Sequence, residues 1–85
     1  SDIGLSVEVA SRDNGDVSLH IATRRFAQSI TIDTPGFTPA DNDFLLAPGQ
    51  SRDVSLRRNP AVLRSTTRGS VSALNVASGL GFALP

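Results

Sequence analysis

Asp16-Val17-Ser18-Leu19-His20-Ile21-Ala22-Thr23 is the stretch whose spacing decides the fold class. Val17, Leu19 and Ile21 are large aliphatics, and the residues between them, Ser18, His20 and Ala22, are polar or small. A pleated strand sends successive side chains to opposite faces, so this pattern gives one face to a core and the other to water. Upstream, Leu5-Ser6-Val7-Glu8-Val9 alternates in the same way and predicts a strand from Ile3 to Ala10. Between the two lies Arg12-Asp13-Asn14-Gly15-Asp16, whose Asn-Gly pair offers the positive φ values a tight hairpin turn requires. The chain is expected to reverse there.

Downstream, Ser29-Ile30-Thr31-Ile32-Asp33-Thr34 is β-branched at almost every position and predicts a strand stopped by Pro35-Gly36. Residues 37–42 read as a loop, because Pro39, Asp41 and Asn42 fix φ or bond their own backbone. A short apolar run, Asp43-Phe44-Leu45-Leu46, leads into Ala47-Pro48-Gly49-Gln50, which suits a type II turn. Residues 51–57 alternate again, with Val54 and Leu56 expected inward and Arg52, Asp53, Ser55 and Arg57 meeting water, and Asn59-Pro60 ends the strand. Ala61 to Ser65 fits either a short strand or a loop, and residues 66–69 are turn-like. Residues 70–76 predict a final strand, in which adjacent Ala73 and Leu74 mark a bulge or burial on two sides. The glycine-interrupted tail, Gly79 to Leu84, is expected to dock on something outside this chain. No stretch has helical period and no internal repeat stands out. Five to seven short strands separated by turn signals predict an all-β antiparallel sandwich.

Composition narrows the options further. Eighty-five residues allow one domain, 1–85, with a modest core, and exclude a barrel or doubly wound catalytic fold within this chain. Without cysteine there is no disulfide framework and no thiolate metal site. Burial barely offsets chain entropy in a chain this short, so a docking partner is expected. Eight basic residues, all Arg, balance eight acidic ones and lie scattered along the sequence, which argues against a nucleic-acid partner. No apolar run approaches the length that spans a bilayer, so no membrane partner is expected, and the chain reads as a soluble piece of a longer protein.

Reactive constellations are sparse. His20 is the single histidine, placed on the outward face of its strand, and reads as a surface residue with no metal to bind. Glu8 is the single glutamate, and most of the seven Asp fall in turns. Asp41-Asn42-Asp43 opens like a calcium loop, but the Gly and closing Glu such a loop needs are missing downstream. No serine sits in a nucleophile elbow and no phosphate loop is present, so no catalytic residue, metal or cofactor is expected. The pairs Arg24-Arg25 and Arg57-Arg58 read as solvated strand ends. With no Trp or Tyr, sugar stacking would fall to Phe26, Phe37, Phe44 or Phe82, each of which reads as a core or loop anchor.

The run Asp41-Asn42-Asp43-Phe44-Leu45-Leu46-Ala47-Pro48-Gly49-Gln50 resembles the C-terminal immunoglobulin-like domain of β-mannosidases and related family-two glycoside hydrolases, and residues 68–75 resemble its closing strand. The resemblance spans most of the chain. It implies an immunoglobulin-like or fibronectin III-like antiparallel β-sandwich of about seven short strands, cut from the C-terminal end of a larger, exported bacterial enzyme. It implies too that the parent removes terminal β-linked mannose with retention, using a pair of Glu carboxylates on a separate barrel. With a single Glu this chain cannot hold that pair, so the family's catalytic residues do not carry over. What carries over is architectural: Asn42 is expected to bond loop backbone, Phe44 to plug the sandwich end, Pro48 and Gly49 to set a turn, with Asp41 beside them. The implied partners are the other domains of the parent and, through its active site, carbohydrate. The rival expectation is an autonomous carbohydrate-binding or adhesion module, which the sandwich pattern alone would support.

Overall fold

The computed structural model describes residues 3–59, 68–76 and 79–84. Among them are eight strands: β1 (Ser6–Ser11), β2 (Val17–Ala22), β3 (Ala27–Asp33), β4 (Phe37–Pro39), β5 (Phe44–Leu46), β6 (Ser51–Arg58), β7 (Arg68–Ser72) and β8 (Leu80–Ala83). They form two four-stranded sheets, ordered β1-β2-β6-β4 and β5-β3-β7-β8, with every pairing antiparallel. The protein is thus an all-β sandwich. Placing β1, β2, β3, β4, β6, β7 and β8 at positions A to G of an immunoglobulin constant domain reproduces its ABED and CFG sheets. β5 is an extra strand outside β3, and the chain reaches it only after visiting the D position.

Strict alternation explains where the core sits. Leu19 and Ile21 of β2, Val54 and Leu56 of β6, Ile30 of β3 and Val71 of β7 are the largest fully buried side chains. All six come from the two central strands of each sheet. Each such burial contributes about 1.5–3 kcal/mol relative to exposure. Phe82 of β8 and Leu46 of β5 extend the cluster to the outer strands of the second sheet.

Four sequence expectations need correction. Asn14-Gly15 does not make a two-residue hairpin; Asp13–Gly15 forms a single 3-10 turn inside a loop that Arg12 N–H closes on the Asp16 carbonyl at 2.7 Å. The register then runs unbroken from Ser11 opposite Val17 to Ser6 opposite Ala22. Residues 37–39 are not loop, because Phe37 packs on the core and pairs with Arg58, and Pro39 is tolerated on what is an edge strand. The final strand stops at Ser72, with Ala73 buried and Leu74 turned out at 71% exposure, so neither a bulge nor two-sided burial occurs there. The tail docks within the fold, as β8 against β7 with Phe82 opposite Gly69. The expectations for residues 61–67 lie outside the described residues.

Gly69 is where the last two strands come closest to the core. A Cβ on it would lie 2.5 Å from Phe82 Cζ and 2.7 Å from Thr34 Oγ1. Both neighbours are buried and cannot swing away. Gly69→Ala is therefore expected to lower unfolding stability by about 1–3 kcal/mol through overpacking. Urea denaturation checks this, and a midpoint equal to wild type would mean that β7 and β8 pack less tightly than described.

Candidate functional site

Residues 41–52 form one connected corner at an end of the sandwich. Asn42 Oδ1 accepts from Ile32 N–H at 2.9 Å and from Asp43 N–H at 3.1 Å, tying the approach to β5 onto β3. The second bond accompanies a left-handed Asp43 at φ +59°, a conformation Asp tolerates better than most residues. Phe44 then packs, half-buried, against the core margin opposite Ile30. The turn that follows has the Ala47 carbonyl accepting from Gln50 N–H at 3.0 Å and Gly49 at φ +80°, the geometry of a type II turn with Pro48 at its first central position. Gln50 Oε1 returns to accept from Ala47 N–H at 2.9 Å. Two backbone bonds fasten the turn to the segment before β3, from Gly49 N–H to the Thr23 carbonyl and from Thr23 N–H to the Gln50 carbonyl.

Arg52 completes the corner; it is exposed, as expected, but it also makes contacts that the sequence reading did not assign to it. It shares the parity of Val54 and Leu56, so it is the outermost member of the core-facing column of β6. At the mouth of the sandwich its Nη1 donates to Asp41 Oδ2 at 2.7 Å, and its guanidinium lies 4.6 Å from the centroid of the Phe44 ring. One side chain of the first sheet thereby holds a loop and a ring belonging to the second. The signal was available in the i, i+2, i+4 spacing of 52, 54 and 56. All five residues carried by the resemblance, Asp41, Asn42, Phe44, Pro48 and Gly49, lie in this corner, and its contacts are structural.

A second cluster lies on the outer face of the first sheet. Glu8, His20 and Asp53 are register partners across β1, β2 and β6 and point away from the core. His20 Nδ1 is 2.6 Å from Asp53 Oδ1, with the two side chains 46% and 73% exposed. Ser18 and Arg12 border the same hollow of about 330 Å³. Ser18, His20 and Asp53 are the residue types of a hydrolytic triad, but no hydrogen bond joins Ser18 to the imidazole, and the strand's N–H groups are engaged in the sheet rather than free to bind an oxyanion. Among the described residues no group of three or more His, Asp or Glu side chains is placed to hold a metal ion.

The phenylalanines divide unevenly. Phe82 is buried and Phe37 and Phe44 pack on the core, whereas Phe26, expected as an anchor, is 43% exposed. Asn75 holds this region together, donating from Nδ2 to the Phe26 carbonyl at 2.8 Å and accepting Gln28 N–H at 3.0 Å. Arg25, Arg57 and Arg58 are exposed, and Arg24 lies against Gly4. No protein-family model, curated protein or solved structure matches the chain.

Two substitutions separate backbone from side-chain contributions at the corner. Space around Gly49 is open, so Gly49→Val is resisted only by its positive φ, and a loss of about 1–2 kcal/mol is expected, with Gly49→Asn costing less. A melting temperature unchanged by the valine would contradict the turn. Asn42→Ala removes the partner of two N–H groups and should cost about 1 kcal/mol, whereas Asp41→Ala, breaking an exposed ion pair, should cost under about 0.5 kcal/mol. Paired denaturation curves distinguish the two, and equal losses would show that the Asn42 bonds are not what fixes the loop.

Proposed function

We propose that the chain is a non-catalytic accessory domain of a β-mannosidase-like glycoside hydrolase, packing against the catalytic domain and bracing it. The observation that carries this reading is the corner just described. The residues that bear the resemblance are bound to one another and to β3 and β6, in a unit that positions strands and exposes no reactive group of its own. Such a motif makes sense as the scaffold of a sandwich that serves a neighbour. The parent would supply the carboxylate pair and the mannoside specificity from a separate barrel.

The test is made in the full-length parent, beginning with the coding sequence that flanks residues 1–85. A catalytic barrel encoded upstream is expected. Deleting the 85 residues should lower the melting temperature of that barrel by several degrees, corresponding to a loss on the order of 1–2 kcal/mol, with KM for an aryl β-mannoside little changed. An open reading frame that encodes this domain alone would overturn the proposal. So would a barrel whose melting temperature is indifferent to the deletion, or hydrolysis of the aryl mannoside by the purified 85-residue chain.

A further inference from the structure

The outer face of the first sheet is not flat. Across its middle runs a row of small side chains, Ala10 on β1, Ser18 on β2 and Ser55 on β6, which are successive register partners. On one side of this row stands the ridge of Glu8, His20 and Asp53. On the other stand Arg12 and Arg57, four residues further along the chain from Glu8 and Asp53, with Asp16 between them just before β2. Two residues of rise separate each ridge from the floor, so the ridges are about 13 Å apart at the backbone. The hollow of about 330 Å³ beside His20 is bordered by Ser18, and a hollow of about 470 Å³ beside Arg57 is bordered by Ser55, its direct neighbour across the ladder. The two hollows lie on either side of the Ser18–Ser55 pair, and end to end they outline a trough over the four strands, about 14 Å long by the spacing of the strands.

We infer that this trough is a binding site for a neutral oligosaccharide. The walls decide the ligand class. One carries two carboxylates beside an imidazole and the other two guanidinium groups about the Asp16 carboxylate, so a polyanion meets carboxylates on both, a polycation meets Arg12 and Arg57, and neither gains on balance. A sugar hydroxyl both donates and accepts: it can donate to the carboxylates of one wall and accept from the guanidinium groups of the other. The exposed Ser55 hydroxyl on the floor adds a donor and an acceptor of the same kind, while Ser18 beside it is buried. An extended peptide has less to gain, since the backbone groups of a sheet face are engaged in the ladder. No aromatic ring lies in the trough, so stacking contributes nothing and binding is expected to be weak. This site rests on the trough alone. It would add glycan capture to the accessory role, yet it stands without it.

Titration of the isotopically labelled chain with mannotetraose, cellotetraose and a sulfated tetrasaccharide, followed by amide chemical shifts, tests the inference. Saturable shifts at residues 17–22 and 51–58 with the neutral sugars are expected, weakened at least ten-fold by Ser55→Leu, which fills the floor, and by Arg57→Ala, which strips a wall. Both positions face solvent, and Arg57→Ala remains informative should Ser55→Leu fail to fold. No saturable shift up to the solubility limit of either neutral sugar overturns the site. So does binding of the sulfated sugar alone, or shifts confined to the end bearing Phe26 and Leu74. A negative titration leaves the accessory reading intact, because bracing a barrel requires no sugar.

Discussion

A single layer of side chains separates the two sheets, and everything else depends on its being apolar on one parity of four central strands. Leu19, Ile21, Val54 and Leu56 meet Ile30 and Val71 across that layer. With neither disulfide nor thiolate metal site to hold the chain, the register of the first sheet's ladders rests on this burial. A one-residue slip of β2 would put Ser18 and His20 inside and three aliphatics in water. The runs of six consecutive pairs in β1-β2 and in β2-β6 are the direct expression of that penalty.

The second sheet has shorter ladders and needs local devices to keep register. Between the pairs Ala27–Leu46 and Ile30–Phe44 its register shifts, and Ser29 there adopts φ +51°. A bulge of this kind leaves an N–H without a ladder partner. Asn75 supplies the missing acceptor to Gln28, while Leu74 N–H bonds the Gln28 carbonyl at 2.7 Å. Asn42 does the equivalent at Ile32, two residues beyond Ile30. Two asparagine side chains thus stand in for neighbouring strands at the places where β3 lacks one, and the Arg52 clasp ties the repaired sheet to the unbroken one.

These physical differences explain what could be read from the residues. β2 and β6 were legible because their large aliphatics keep to one face without a break. β4 was not, since Pro39 is a poor strand former and so short a segment becomes a strand only by pairing with β6. The tail read as a docking segment for something else because Gly79 and Gly81 disrupt its pattern. In the fold those glycines lie over Ser70, Ser72 and Arg68, and it is Phe82 that anchors the strand. The type II turn at Pro48-Gly49 and the backbone bonds of Asn42 were visible as local chemistry. The contacts of Arg52 with Asp41 and Phe44 were not, because an exposed charged residue does not show in sequence which partners it meets.

His20 and Asp53 show why the outer face of such a sheet favours recognition over hydrolysis. A hydrogen-bonded imidazole and carboxylate are the easy part of a nucleophilic site, and chance register supplies them here at 2.6 Å. What is hard is an oxyanion hole, which needs N–H groups aimed at one point, and a cover that keeps water out. A strand of a continuous ladder has already committed its N–H groups to its neighbours, and both side chains stand largely in solvent. Whatever such a face recognises must be held by side chains alone, arranged at strand spacing in rows of fixed parity. The trough proposed above would meet that requirement with charged side chains on either side of Ala10, Ser18 and Ser55.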